Sequence, residues 1–121
     1  MPTRISPPTL RDWLSSDTDI RVVDVRDGDW FGGHVKSSIN YPSSRFLESL
    51  PKLIKEIGAA KKVVFYCQLS QQRGPSCAAI YEKHKLNDQE IYVLDGGFSR
   101  WASVYGKDAA LTESFRSELY L

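Results

Sequence analysis

Val63-Val64-Phe65-Tyr66-Cys67-Gln68-Leu69-Ser70-Gln71-Gln72-Arg73-Gly74-Pro75 starts as an apolar, strand-forming run and stops abruptly at a cysteine. A polar loop follows, and Gly74-Pro75 then opens a helix-like segment through Ala78, Ala79 and Ile80. The N–H groups of such a loop and of the first helical turn have no partners of their own, and the helix macrodipole adds positive potential at that end. That potential favours a thiolate on Cys67 and an oxyanion above it. Arg73 carries a planar fork that can clamp two oxygens of such an anion, which a lysine cannot do. Cys67 is therefore the candidate nucleophile and Arg73 the candidate oxyanion clamp. Gln68, Leu69, Gln71, Gln72 and Gly74 contribute mainly backbone N–H groups to oxyanion binding. Ser70 either hydrogen-bonds the sulfur or simply shapes the loop.

Outward from this stretch, strands and helical patterns alternate. Lys62 to Tyr66 is the most apolar strand and the expected centre of the sheet. Ile20 to Val25 reads as a second, largely buried strand. Glu90 to Leu94 reads as a third, closing on Asp95-Gly96-Gly97. Ser6-Pro7-Pro8-Thr9 is a helix start with Ser6 as the N-cap, and Leu10, Trp13 and Leu14 share one face behind it. Phe46, Leu47, Leu50, Leu53, Ile54 and Ile57 give an amphipathic helix over Ser43 to Ile57, which Pro51 is expected to split or kink. Further helices are expected from Pro75 to about Lys85 and from Phe98 to Tyr105. The tail from about Gly106 has two readings: a packed amphipathic helix over Leu111 to Leu121, or a disordered end. The alternation predicts an α/β fold with a mostly parallel sheet. Ligands of such sheets bind beyond the carboxyl ends of the strands, where Cys67, Asp24 to Arg26 and Asp95 to Gly97 meet at one rim.

Composition sets the outer bounds. A chain of 121 residues, 41% hydrophobic and 26% charged, makes one domain (1–121) with a single core. A net charge of +1 argues against nucleic acid or an anionic membrane as a partner. No apolar run approaches the roughly 18–20 residues that span a bilayer, and Met1-Pro2-Thr3-Arg4 leads into no signal-like segment. The two cysteines form no disulfide framework and no Cys/His cluster suggests a metal, so a cytoplasmic or nuclear setting is expected. Nothing in the pattern speaks to oligomeric state.

Four landmarks in order carry a family resemblance: Val23-Asp24-Val25-Arg26, then Gly33-His34-Val35 through Ile39-Asn40-Tyr41-Pro42, then the Cys67 loop, then Leu94-Asp95-Gly96-Gly97-Phe98 through Trp101. Together they resemble rhodanese-like domains over about residues 5 to 105. The resemblance implies a central, mostly parallel five-stranded sheet flanked by helices, with the active loop at its rim. Sulfur-transferring rhodaneses have a shorter loop, whereas here five residues separate Cys67 from Arg73. Cys67-x-x-Ser70-x-x-Arg73-Gly74-Pro75 is similar to the loop of the M-phase-inducer dual-specificity phosphatases and of the yeast-type arsenate reductases. The extra residue widens the ring of N–H groups for a tetrahedral phosphate or arsenate. The resemblance implies a cysteine-dependent protein phosphatase working through a cysteinyl-phosphate, without cofactor or metal. The alternative it implies is an arsenate reductase using glutathione and glutaredoxin as co-substrate, and a non-catalytic rhodanese-like binding module stands third. The substrate is accordingly a phosphorylated protein or a small oxyanion.

Two positions depart from that pattern. Tyr66 stands where the relatives often have histidine, and Gln72 where the cell-cycle phosphatases commonly have an acid. The loop holds no carboxylate, so the proton donor to the leaving group is unassigned. Asp27 and Asp29 lie in the next loop, within swinging distance of a leaving group. Asp24 and Arg26 read as a structural ion pair, Cys77 as a buried thiol, His34 as a turn residue and His84 as a surface residue at a helix end.

Overall fold

Runs rich in Val, Ile, Phe and Tyr alternate with helical patterns, and parallel strands joined by crossover helices follow from that order. A computed structural model of the chain, which describes residues 2–16 and 19–119, has this architecture. Five parallel strands lie in the order β1 (Thr3–Ile5), β6 (Glu90–Leu94), β5 (Lys62–Tyr66), β2 (Ile20–Asp24) and β4 (Ile39–Asn40). The central position of β5 explains why it reads as a continuous apolar run, with Val63 to Tyr66 all buried. Its side chains alternate between the two faces. Val63 and Phe65 join Val23, Leu53 and Tyr81 beneath α2 (Phe46–Ile57) and α3 (Arg73–His84). Val64 and Tyr66 join Leu10, Leu94 and Trp101 beneath α1 (Pro7–Ser16) and α4 (Gly97–Tyr105). Cys67 continues the alternation and belongs to the α2/α3 side.

Several expectations need correction. β1 and β4, the two edge strands, have 3 and 2 residues, too few to show a period in the sequence. Pro51 does not split α2, which runs unbroken from Phe46 to Ile57. The carbonyl left without a partner by the missing Pro51 N–H is that of Leu47, a residue exposed to water at 65%. α3 starts at Arg73, two residues ahead of Pro75, so Arg73 itself lies in the first turn. The tail is not a helix over Leu111 to Leu121. Thr112–Glu113 forms a strand, β7, antiparallel to β3 (His34–Val35), and a 3-10 turn covers Ser117–Leu119. Trp101 Nε1 donates to Thr112 Oγ1 at 2.9 Å, so a buried indole N–H is satisfied by the strand. Tyr120 and Leu121, the end of that expected helix, lie outside the described residues. Ser6 caps α1 as expected, accepting the Thr9 N–H on its Oγ at 3.3 Å.

Candidate active site

Cys67 is the first residue beyond β5, and Asp24 of β2 pairs in register with Tyr66 of β5. The carboxyl ends of β2, β5 and β6 therefore finish side by side, and their three loops are hydrogen-bonded together. Phe98 N–H and Ser99 N–H, opening α4, donate to the carbonyls of Cys67 and Gln68 at 3.0 Å each. From the β2 side, Arg26 Nη1 donates to Gln68 Oε1 at 3.1 Å.

The loop folds back on its own sulfur. Ser70 N–H and Gly74 N–H point at Cys67 Sγ at 3.2 and 3.3 Å, so donors from both ends of the loop converge on the nucleophile. Hydrogen bonds of this kind stabilise negative charge on the sulfur. Ser70 makes the turn by adopting φ +54°, a left-handed conformation that costs a non-glycine residue roughly 1–2 kcal/mol. Its fully buried hydroxyl accepts the Cys67 N–H at 3.4 Å, so of its two readings the loop-shaping one matches the geometry. The N–H groups of Gln68, Leu69, Gln71, Gln72 and Arg73 hydrogen-bond to no other described residue. They are the open donors an anion needs. Gly74 lets α3 approach closely, since a Cβ there would stand 3.3 Å from Cys67 N.

Behind the loop, Arg26 is a fully buried cation. Its Nη2 pairs with Asp24 Oδ2 at 2.7 Å, and its Nε donates to both Asp24 oxygens at 3.1 Å. Gly33 O accepts a further bond at 2.7 Å, and the guanidinium lies 4.5 Å from the centre of the Phe98 ring. Asn40 Nδ2 ties the carbonyls of Asp24 and Arg26 together at 3.0 and 2.9 Å. The pair is structural, as its place in the sequence suggests, and it props up Gln68.

Arg73 is held by two carboxylates. Asp29 grips the fork, with Nη1–Oδ1 at 2.9 Å and Nη2–Oδ2 at 2.6 Å, and Asp27 Oδ2 adds a contact to Nη1 at 3.2 Å. The Asp29 hydrogen bonds raise the arginine's pKa further above its ordinary value, and Arg73 in turn holds the Asp29 carboxyl below its own. Burial pushes the Asp27 carboxyl up, but hydrogen bonds from Ser44, Ser43 and Arg73 outweigh it and hold it at about 2. Asp29, Cys67, Gln68, Leu69, Gln71, Gln72 and Arg73 line one cavity of about 380 Å³. A second cavity of about 370 Å³ shares Gln72 and Arg73 and continues along Phe46, Leu47 and Ile80. The grip of Asp27 and Asp29 on Arg73 is the feature the sequence reading missed. Its only signal was a pair of acids directly after the Asp24-Arg26 strand end.

The remaining residues sort by position. Tyr66 turns away from the site to the α1/α4 side, where its hydroxyl accepts the Val35 N–H at 3.1 Å and lies 3.2 Å from Ser38 Oγ. It therefore does not replace a histidine acting on the sulfur. His34 faces Glu113 at 3.1 Å, on the β3–β7 ribbon. Cys77 is buried and unbonded to Cys67. Among the described residues, no group of three or more His, Cys, Asp or Glu is placed to hold a metal ion.

Comparison with known proteins fits this geometry. The family model for the rhodanese-like domain matches residues 6–104. The chain belongs to the rhodanese-like family. Within it, this rhodanese-like chain is 36% identical to the CDC25-like phosphatase YCH1 of Saccharomyces cerevisiae, over 96% of its own length and 92% of the relative's. It is 39% identical to arsenate reductase 2.2 of Oryza sativa subsp. japonica, over 70% of its length and 71% of that protein's. The crystal structure of Saccharomyces cerevisiae Ygr203w, a homolog of single-domain rhodanese and of the Cdc25 phosphatase catalytic domain, superposes with a TM-score of 0.89. That pair shares 35% identity, and the match covers 98% of this chain and 91% of the other. The chain thus falls with the Cdc25-like phosphatases and arsenate reductases of the rhodanese-like family. No helix among the described residues is long and apolar enough to cross a membrane.

Proposed function

We propose that the protein is a cysteine-dependent protein phosphatase acting on phosphotyrosine or on mixed phospho-residues. One observation supports this most directly: four of the five residues between Cys67 and Arg73 keep N–H groups that pair with no other described residue, beside a sulfur that already receives Ser70 and Gly74 N–H. Cys67 thiolate attacks phosphorus in line with the leaving oxygen and forms a cysteinyl-phosphate. The N–H groups of Gln68, Leu69, Ser70, Gln71, Gln72 and Gly74, with the Arg73 fork, hold the three equatorial oxygens. Water then hydrolyses the intermediate. Two free cysteines suit a reducing cytosol or nucleus. In the test, Cys67→Ser abolishes hydrolysis of p-nitrophenyl phosphate but still binds oxyanion, and Arg73→Ala loses both. Undiminished turnover by Cys67→Ser overturns the reading.

A second reading is favoured by the rice arsenate reductase, which is 39% identical. The same thiolate attacks arsenic, and glutathione with glutaredoxin supplies the two electrons. One preparation assayed with p-nitrophenyl phosphate, with arsenate plus glutathione and glutaredoxin, and with thiosulfate plus cyanide separates the readings. Turnover of thiosulfate alone overturns both.

A further inference from the structure

The cavity above Cys67 contains one carboxylate, and that carboxylate occupies the arginine a substrate needs. Both terminal nitrogens of Arg73 are taken up by Asp29, and an oxyanion over Cys67 must use the same fork. One acid has to yield. Asp27 is anchored independently, by Ser43 Oγ at 2.7 Å and Ser44 N–H at 3.0 Å. Apart from Arg73, the partners of Asp29 among the described residues are backbone N–H groups of its own turn, that of Asp27 at 3.0 Å and its own. Asp29 is also 41% exposed, on the short turn Gly28–Trp30, and nothing lies within 4 Å of where a Cβ on Gly28 would sit. Asp29 is therefore the ligand that gives way.

We propose that Asp29 exchanges partners during turnover: it occupies the Arg73 fork before substrate arrives and, displaced by the phosphoryl oxygens, becomes the proton donor to the leaving oxygen. This rests on the phosphatase reading above. The other polar side chains lining the cavity, Gln68, Gln71 and Gln72, are amides and supply no proton. Displacement reverses the field at Asp29, because a cation leaves its side and a phosphoryl dianion takes that place. The carboxylate then takes up a proton from solvent. In the first step the S–P bond forms and the ester P–O bond breaks. The electron pair goes to the leaving oxygen, which receives the Asp29 proton, giving cysteinyl-phosphate, the alcohol or phenol, and Asp29 carboxylate. In the second step water attacks phosphorus and passes its proton to Asp29. The S–P bond breaks, returning the Cys67 thiolate, inorganic phosphate and protonated Asp29. Once phosphate leaves, Asp29 loses that proton and closes on Arg73 again.

The test compares wild type, Asp29→Asn and Asp27→Asn on phenyl phosphate and 2,4-dinitrophenyl phosphate, with inorganic phosphate binding measured by calorimetry. General acid help is worth about 100- to 10,000-fold where the leaving group is poor. Asp29→Asn is therefore expected to lose at least about 100-fold more in kcat/KM on phenyl phosphate than on the dinitrophenyl ester; kcat/KM reports only the first step, so the part of Asp29 in hydrolysing the shared cysteinyl-phosphate does not enter the comparison. It is also expected to bind inorganic phosphate more tightly than wild type, because the competitor for Arg73 is gone. Asp27→Asn, which removes only an anchor, loses similar factors on both esters. Equal losses on both esters in Asp29→Asn, or weaker phosphate binding, overturn the proposal and leave Asp29 a positioning residue for Arg73. Wild type alone provides a check that needs no variant to fold: a steep dependence of its own kcat/KM on leaving-group acidity means no acid acts, and the proposal fails. If wild type hydrolyses neither ester, the phosphatase reading itself falls and takes the proton role with it.

Discussion

The backbone of Gly97 lies directly against the carbonyls of Cys67 and Gln68. Gly97 has φ +61°, and a Cβ built on it would collide with Cys67 O and stand 2.6 Å from Gln68 O. The same close approach delivers the Phe98 and Ser99 N–H groups to those two oxygens. Gly97→Ala is thus expected to cost about 1–3 kcal/mol from the backbone conformation alone. Pushing the loop away from β6 also displaces the nucleophile, and a shift of about 1 Å can cost about 100-fold in turnover. Urea midpoints and kcat on one aryl phosphate check both parts, and a variant with wild-type values for both would show that this contact does not position the loop.

Asp24 and Arg26 form a wholly buried ion pair, so removing Asp24 leaves the buried Arg26 charge with neutral partners such as Gly33 O and Gln68 Oε1 and no paired carboxylate. Asp24→Ala should destabilise the fold by about 3–5 kcal/mol. The exposed pair Arg4–Asp95, at 3.4 Å, should contribute less than about 1 kcal/mol. Denaturant titration of Asp24→Ala and Arg4→Ala at unchanged m-value reads the contrast directly. Equal, small losses would mean that water reaches Arg26.

Why some of this was legible in the sequence follows from the range of each contact. β5 announces itself because Val63 to Tyr66 are buried on both faces, and the loop because Cys67, Arg73 and Gly74 sit within eight residues. β4 has only Ile39 and Asn40, and its place is set by distant partners such as the Asp24 carbonyl. β7 looked amphipathic because Leu111 and Phe115 pack on the core, yet Thr112 is fixed by Trp101 and by pairing with Val35. Within the site, Asp29 reaches Arg73 across 44 residues of chain and Asp27 across 46, so no local spacing could announce the pair.

Tyr66 tests the face assignment of β5. Its hydroxyl satisfies the buried Val35 N–H on the side of the sheet away from Cys67. Tyr66→Phe strands that donor, at a cost of about 1–3 kcal/mol. Turnover should stay within a few-fold of wild type, because the hydroxyl does not face the sulfur. A large loss of kcat with unchanged melting temperature would place Tyr66 in the chemistry instead.

Cys77 should be chemically silent. Burial first, then the charges of Cys67 and Asp27, push its thiol up to about 12. Since the thiolate is the reactive form, iodoacetamide at pH 8 should modify one cysteine in the native protein, with peptide mapping placing the label on Cys67. The second thiol should react only after unfolding. Labelling of Cys77 in the folded state would contradict its placement between α3 and the sheet.

Acid should loosen the Arg73 clamp in a defined window. Asp27 drops from an ordinary value of 3.8 to about 2 in the folded chain, and Asp29 shifts in the same direction. A carboxyl depressed on folding stabilises the native state above its unfolded value, and that contribution disappears as pH falls through the folded value. The unfolded chain binds more protons between about pH 4 and 2, so stability must rise with pH there. Urea midpoints of wild type should therefore fall more steeply over that window than those of Asp27→Asn, which has no such carboxyl to titrate. Above pH 5 the variant should be the less stable of the two by a constant margin, and the curves should converge toward pH 2. A margin that persists undiminished at pH 2 would mean that the Ser43 and Ser44 hydrogen bonds, and not the Asp27 charge, supply the stabilisation.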